Sequence, residues 1–300
     1  MDRINKIYKI QPIRKQDHMG ILSLGPSTLF NASPIETINA AAAGGFDAVG
    51  IRVTGRKHGD GSVAVIGNAS LIRDLRQRRD DTGVAITHVT AYWVMPDLTL
   101  AEFLPVIDTA VELGASMIGV NCGYTDEARF VSFMAAYCEA AAKSRLKLVL
   151  EFMPFSGAKT LEQGVRMIEE TGQPNLGLMV DPLHLARSGS VPADLNKVDP
   201  GLIYMVQLCD APLKKRVDLE LRAEALADRL YPGEGGLPLH EFLDAVSPEV
   251  QIDVEAPHQR HARLAPDEQG RMTGEACRRF LADYFRQRPR ASSPTPSRRS

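Results

Sequence analysis

Four polar side chains stand at the ends of successive apolar segments: Glu151 in KLVLE, Asp181 in LGLMVD, Gln207 in IYMVQL and Glu255 in VQIDVE. A carboxylate at the edge of an apolar core is costly unless a cation or hydrogen bonds offset it. Any one of them alone could be a hydrogen-bonded strand end, whereas the four together favour a shared ion. Three carboxylates and an amide oxygen suit Mg²⁺ or Mn²⁺ best, with Co²⁺ and Zn²⁺ left open. The pattern therefore predicts one divalent metal site.

The elements that carry these residues recur along the chain. Eight short apolar segments begin at residues 21, 48, 84, 117, 147, 176, 203 and 250. Most of the stretches between them have helical periodicity, and helix-capping patterns begin at Ser33, Thr99 and Thr160. Alternating strands and helices of this number predict a single α/β domain, a (β/α)₈ TIM barrel over residues 21–285.

Strand geometry brings the four polar residues together. Inward and outward side chains alternate along a barrel strand, and the strand ends that precede the helices meet at one mouth of the barrel. Glu151, Asp181, Gln207 and Glu255 belong to strands five to eight and are each predicted to face inward at that mouth. A long charged segment follows the seventh strand, over residues 210–238. It must cross the same face, where barrels of this class keep their sites.

The composition of the two chain ends and the net charge between them disfavour several classes of protein. Residues 1–20 form a polar arm without the apolar stretch of a secretory signal, and Met1 and Met19 are both open as the native start. Residues 286–300 are rich in Arg, Pro and Ser and are predicted to be disordered. The 21–285 body carries a net charge of about −10, which disfavours nucleic acid. The scattered cysteines are predicted to be reduced, and neither a membrane span nor a leader is expected, so the predicted location is cytoplasmic.

The motifs around these residues resemble the sugar phosphate isomerase/epimerase superfamily, which has the xylose-isomerase-like TIM barrel. They are EFMP at Glu151, VDPLH at Asp181, VQLCDAP at Gln207, PGEG from Pro232 and VEAPH at Glu255. The resemblance extends over roughly residues 20 to 285. It implies a metal-dependent enzyme that acts on a small polyhydroxylated carbonyl compound, with pairing of barrel copies left open.

The resemblance implies proton abstraction next to a carbonyl through a metal-stabilised enolate, with Glu151 and Glu255 as base and acid. If the enolate is then reprotonated, the enzyme is an isomerase or epimerase. In the ketose 3-epimerases of this superfamily the metal ligands are Glu, Asp, His and Glu, so Gln207 departs from that pattern. A Glu, Asp, Gln, Glu set resembles the 3-dehydroshikimate dehydratases, and a metal-dependent dehydratase is therefore the alternative.

Five further side chains are candidates for contact with the substrate. His184 follows Asp181 by three residues, where the resembling epimerases keep a substrate-contacting histidine, and is also a catalytic candidate. His88 ends the third apolar segment and is predicted either to face the mouth or to be a satisfied core residue. Arg229 and Arg216 of the long loop could clamp a substrate carboxylate or phosphate, and Arg229 is preferred. Glu234 lies in the PGEG turn.

The sequence leaves two other classes of function open. The first is the branch of abasic-site endonucleases that shares this barrel, which typically uses a histidine-rich three-metal cluster. The chain has only seven His, and its acidic body disfavours a phosphate backbone. The second is a barrel that binds a sugar without catalysis.

Overall fold

Eight parallel strands close into one barrel in the computed structural model, which describes residues 20–29, 31–54 and 65–288. Each strand pairs with the next along the chain, and the first pairs with the last. The strands are β1 (Leu22–Leu24), β2 (Ala48–Ile51), β3 (Ala85–Val94), β4 (Met117–Cys122), β5 (Lys147–Glu151), β6 (Leu176–Val180), β7 (Ile203–Leu208) and β8 (Gln251–Val254). The predicted TIM barrel is confirmed.

Helices surround the barrel and close its outer core. They are α1 (Pro34–Gly44), α2 (Ala69–Thr82), α3 (Leu100–Leu113), α4 (Glu127–Ala142), α5 (Leu161–Thr171), α6 (Pro182–Arg187), α7 (Leu221–Ala227), α8 (Leu239–Asp244) and α9 (Pro266–Gln287). Within the described ranges, none of these helices is both long and apolar enough to cross a membrane.

Capping residues fix the ends of several helices at the positions that the sequence predicts. The Ser33 hydroxyl accepts a hydrogen bond from the Glu36 amide, and the Glu36 carboxylate accepts one from the Ser33 amide. Gly114 and Gly172 end α3 and α5 in the left-handed conformation, which glycine adopts at little cost. The last helix begins at Pro266, where a proline at the first position and Asp267 in the first turn favour an N-terminus.

The long segment after β7 contains a buried charged residue, although its many charges suggest an exposed surface. The sequence of α7 reads as an exposed helix, yet Glu224 is buried and forms a bidentate pair with Arg187 of α6. Arg187 also donates to the carbonyl groups of Pro212 and Leu213. This pair fixes α7 against α6 beside the barrel mouth. Residues 1–19 and 289–300, which hold most of the predicted arm and tail, lie outside the described residues.

The floor of the barrel is apolar on one side and polar on the other. Met117, Val149, Met179 and Met205 pack together in the interior. On the other side the Gln251 amide donates to Ser23 and Thr87, and Ser23 donates to Asp253. These side chains occupy the barrel interior below the level of the strand ends.

Candidate metal centre and active site

Asp181 is fixed at the junction of β6 and α6 by its role as the helix cap. Its Oδ1 accepts hydrogen bonds from the amides of Leu183 at 2.7 Å and His184 at 3.1 Å. The cap orients the carboxylate towards the barrel mouth and places His184 on the first turn of α6. One short motif, Asp-Pro-Leu-His, thus positions two side chains of the site.

Glu151, Asp181 and His184 converge on one point. Each offers an oxygen or nitrogen atom that lies within 4.8 Å of the others, and all three residues are buried. Nε2 of His184 lies 3.6 Å from Oε1 of Glu151. The other carboxylate oxygen of Glu151 accepts a hydrogen bond from Nδ2 of Asn121, at 2.8 Å. Asn121 therefore leaves Oε1 facing the shared point.

Arg229 links the carboxylate of Glu255 to that of Asp181. Its Nη1 donates to Oδ2 of Asp181 at 2.5 Å and to the Glu255 carbonyl oxygen at 3.0 Å, and lies 3.4 Å from Oε2 of Glu255. Its Nε donates to the carbonyl of Ala225 in α7. The guanidinium is 3% exposed, so its charge acts on these carboxylates with little screening.

The pKa values reflect an excess of negative charge. Burial, then Glu255 and Asp181, raise the pKa of Glu151 to about 8 against the opposing effect of Arg229. Burial would raise the pKa of Asp181, but Arg229 and the backbone donors outweigh it, so that pKa is lowered. Burial also raises the pKa of Glu255, and it lowers that of His184 to about 4. His184 is therefore neutral at pH 7, and its imidazole can serve as a ligand or a hydrogen-bonding group.

These residues fit a divalent cation. Three carboxylates face one guanidinium, which leaves up to two negative charges unbalanced when all three are ionised. Gln207 adds a separate observation: its Oε1 is buried and accepts no hydrogen bond from any described residue. A buried acceptor without a donor is costly unless a cation or another ligand meets it.

Asp210 holds the loop that carries Arg229. Its carboxylate accepts hydrogen bonds from the amides of Gly233, Gly235 and Leu237. Its backbone exchanges two hydrogen bonds with Leu230, the residue next to Arg229. A buried carboxylate with this many donors organises the PGEG turn and fixes the approach of Arg229 to the mouth.

Most of the chain matches the model of a known protein family. The model of the xylose isomerase-like TIM barrel matches residues 38–277. The chain belongs to this xylose isomerase-like family.

Two curated relatives of this family member carry different activities. An inosose isomerase from Halalkalibacterium halodurans is 27% identical over 154 residues, covering 48% of this chain and 53% of that protein. A 3-dehydroshikimate dehydratase from Pseudomonas aeruginosa is 27% identical over 226 residues, covering 70% of this chain and 33% of that protein. The chain thus spans about half and about a third of the length of these relatives.

A solved structure shares the fold at lower identity. The IOLI protein with a bound zinc atom superposes with a TM-score of 0.74 at 19% identity, covering 88% of this chain and 99% of that chain. This likeness extends over the whole barrel of the family member and shows its fold.

The other predicted contact residues lie apart from this centre. His88 is buried in the barrel floor, where Nδ1 lies 3.4 Å from the Gln251 amide nitrogen and Nε2 lies 3.7 Å from Asp253. Arg216 is paired with Asp218 and Asp228 at the surface. Glu234 is paired with Arg260 and Arg279. A substrate contact for His88, Arg216 or Glu234 stays a prediction.

Asn121 is a positioning residue that the sequence pattern does not single out. Replacing it with alanine is expected to lower the affinity for Mn²⁺ about tenfold to a hundredfold, because Glu151 loses the donor that orients its carboxylate. Titration calorimetry of Mn²⁺ into metal-free protein measures this. Asn175→Ala is the matched control, since that amide donates to the carbonyls of Cys138 and Leu146 instead. Equal losses in both variants would contradict the assignment.

Metal uptake should depend on pH through Glu151. With a pKa raised to about 8 in the metal-free protein, this carboxyl is mostly protonated at pH 7 and must release its proton to bind a cation. The apparent Mn²⁺ affinity is expected to rise about tenfold per pH unit from about pH 6 and to level off above about pH 8. Calorimetry in buffers of different ionisation enthalpy counts the proton released. An Mn²⁺ affinity that stays constant between about pH 6 and pH 8 would contradict the release of a proton from Glu151 on metal binding.

Proposed function

We propose that this protein is a divalent-metal-dependent enzyme that abstracts a proton next to the carbonyl of a small polyhydroxylated compound and returns it, as an isomerase or epimerase. One observation carries the proposal: the buried carboxylates of Glu151, Asp181 and Glu255 lie close together around Arg229 and His184. The buried amide oxygen of Gln207, which has no hydrogen-bond partner among the described residues, supports it. The inosose isomerase and the dehydratase among the relatives support an enzyme of this kind.

Glu151, Asp181, Gln207 and Glu255 would hold the cation, with His184 beside them. A bound divalent ion supplies a Lewis acid that stabilises negative charge on a substrate oxygen. Its charge would also lower the pKa of the carboxyls that face it.

Glu151 is the residue that takes up the proton, and Asn121 orients its carboxylate through a hydrogen bond to Oε2. Glu255, whose pKa is raised by burial, would enter the reaction protonated and donate its own proton to the substrate. Exchange with solvent would then remove the proton from Glu151 and restore the one on Glu255. Arg229 keeps Asp181 ionised and lies between Asp181 and Glu255. Neutral His184 orients a substrate hydroxyl. General acid and base groups in these positions suit a reaction in which a proton leaves one carbon and reaches the same or a neighbouring atom.

A dehydratase of the 3-dehydroshikimate type is the second candidate. Gln207 favours it, because an amide at the third ligand position departs from the epimerase pattern, and the Pseudomonas aeruginosa relative has this activity. The first step would be the same, with the proton lost beside the carbonyl. The reactions then differ in whether a β-hydroxyl leaves or the proton returns.

Product analysis separates the two candidates. Purified protein with Mn²⁺ is incubated with inosose, with a ketose and with 3-dehydroshikimate, and the products are followed by NMR and by aromatic absorbance. The proposal expects a new isomer or epimer from inosose or the ketose, abolished by chelation. Aromatic product from 3-dehydroshikimate alone would favour the dehydratase, and no turnover of any of the three would count against both.

The proposed substrate is a small molecule rather than a nucleic acid. The body of the barrel carries a net charge of about −10, which repels a phosphate backbone. Retardation of DNA in a gel at low salt would revive the endonuclease alternative.

A further inference from the structure

The carboxylates of the candidate site are covered, although they stand at the open end of the barrel. Glu151, Asp181 and Glu255 are at most 8% exposed. A hydrated cation or a small ligand therefore needs part of the cover to move before it can reach them. Asp210 holds the loop that carries Arg229 through several backbone amides, so the moving part must be sought elsewhere.

The segment of residues 214–222 crosses the mouth. Trp93 of β3 faces inward at the strand end, because its register partner on β4 is Asn121, whose amide donates to Glu151 inside the barrel. The Arg222 guanidinium lies 5.9 Å from the centre of the Trp93 ring. The segment leaves the barrel from β7, and β7 and β3 lie on opposite sides of the closed ring of eight strands. The contact between Arg222 and Trp93 therefore spans the mouth.

Arg187 of α6 ties the two ends of this segment together. It donates to the carbonyl groups of Pro212 and Leu213, just before the segment, and forms a bidentate pair with Glu224, just after it. The side chains of Arg187 and Glu224 are 6% and 2% exposed, so water screens this pair little. Both ends of the segment are thus fixed at one point, as in compact surface loops that carry function.

The segment is weakly bonded between its fixed ends. No backbone hydrogen bond joins residues 214–219 to a described residue outside the segment. Val217 is fully exposed, and Arg216 pairs with Asp218 within the segment and with Asp228 at the surface. A cation–π contact at an exposed site changes an equilibrium only about twofold to fivefold. A stretch with so few bonds opens at a low cost in free energy.

We propose that residues 214–222 form a lid that opens to admit ligands to the barrel mouth, and that Arg222 closes this lid against Trp93. The inference rests on the proposed function, because it concerns access to the same site. Arg187 is a positioning residue that fixes both ends of the lid. In the closed form the lid keeps bulk water away from the carboxylates, as lids over the sites of other enzymes do.

Trp93 reports on the lid directly, because it is the only tryptophan of the chain. Quenching of its fluorescence by acrylamide measures how often the ring is uncovered. Arg222→Met is expected to raise the open population about twofold to fivefold and so to raise the quenching constant. Arg286→Met is the matched control, since Arg286 is an exposed residue of α9 that pairs with Asp283 in the same helix. Unchanged quenching in Arg222→Met, or an equal rise in Arg286→Met, would overturn the inference.

Mn²⁺ is the probe of passage through the lid. Its capture by the metal-free protein and its release to EDTA are followed by stopped flow with a fluorescent metal indicator. In Arg222→Met both rates are expected to rise about twofold to fivefold while Kd changes by less than about twofold, because easier opening speeds entry and exit alike. Two unchanged rates would overturn the inference. Faster release without faster capture would also overturn it, because that result indicates damage to the metal ligands.

Arg187→Lys tests how the ends of the lid are fixed. Lysine keeps the positive charge but lacks the planar guanidinium that reaches the Glu224 carboxylate and two carbonyl groups together. Quenching of Trp93 is expected to rise in this variant as well. An unchanged quenching constant would overturn the role of Arg187 as the residue that fixes the lid.

Failure of this inference and failure of the proposed function give different results. Metal-dependent turnover, with quenching and Mn²⁺ rates unchanged in Arg222→Met, rejects the lid alone. The expected rise in quenching, without turnover of inosose, a ketose or 3-dehydroshikimate, supports the lid and rejects the proposed function.

Discussion

Replacing Glu151 with glutamine is expected to lower kcat about a thousandfold while the barrel stays folded. The side chain keeps its shape and its contact with Asn121, but it can no longer accept a proton. The fold should tolerate the change because burial raises the pKa of Glu151 to about 8 in the metal-free protein. A neutral group at this position is thus already the form that the metal-free barrel favours at pH 7. Steady-state kinetics measure kcat, metal analysis measures the bound Mn²⁺, and thermal unfolding shows whether the variant stays folded.

The control for Glu151→Gln is Glu170→Gln. Glu170 is an exposed residue of α5 that lies 4.0 Å from Arg166, so its change should leave kcat untouched. Retention of more than about a tenth of kcat in Glu151→Gln, with normal metal content, would contradict the role of Glu151 as the base.

Replacing Arg229 with methionine is expected to lower the unfolding free energy of the metal-free protein by about 3–5 kcal/mol. The substitution leaves Asp181 and Glu255 buried without the guanidinium that balances their charge. A divalent cation can supply the missing positive charge, so saturating Mn²⁺ should restore a large part of the loss. Urea denaturation with chelator and with Mn²⁺ measures both quantities.

Arg216→Met provides the comparison, because Arg216 is half exposed and pairs with Asp218 and Asp228 at the surface. Its unfolding midpoint should match that of the unmodified protein. A loss in Arg229→Met that Mn²⁺ does not reduce would show that the arginine is a packing element rather than a counter-charge to the carboxylates.

The barrel and the inward direction of its strand-end residues follow from alternation and spacing in the sequence. Apolar segments that end in Glu151 and Asp181 identify strands whose last inward residue is polar. The sequence does not reveal what each carboxylate touches. Arg229 is predicted as a clamp for substrate, but the structure buries it against Asp181, because Asp210 folds the loop back over the mouth.

Contacts between strands are the information that one sequence lacks. Asn121 lies beside Glu151 only because β4 and β5 pair with these residues in register. Ser27 reaches Glu255 only because β1 closes the barrel against β8, more than 200 residues away along the chain. Burial of Glu224 likewise depends on Arg187 in another helix. Charge patterns along α7 predict an exposed face and cannot anticipate that partner.

The most direct test of the central claim follows the carbon-bound proton. Inosose, a ketose and 3-dehydroshikimate are each incubated in D₂O with the protein, and the hydrogen next to the carbonyl is followed by NMR against a protein-free control. We expect at least one compound to lose this signal with Mn²⁺ and the unmodified protein, and to keep it with chelator or with Glu151→Gln. Two results would contradict metal-dependent proton abstraction at this barrel mouth. One is loss of the signal at equal rates with Mn²⁺, with chelator and with Glu151→Gln; the other is no loss of the signal from any compound.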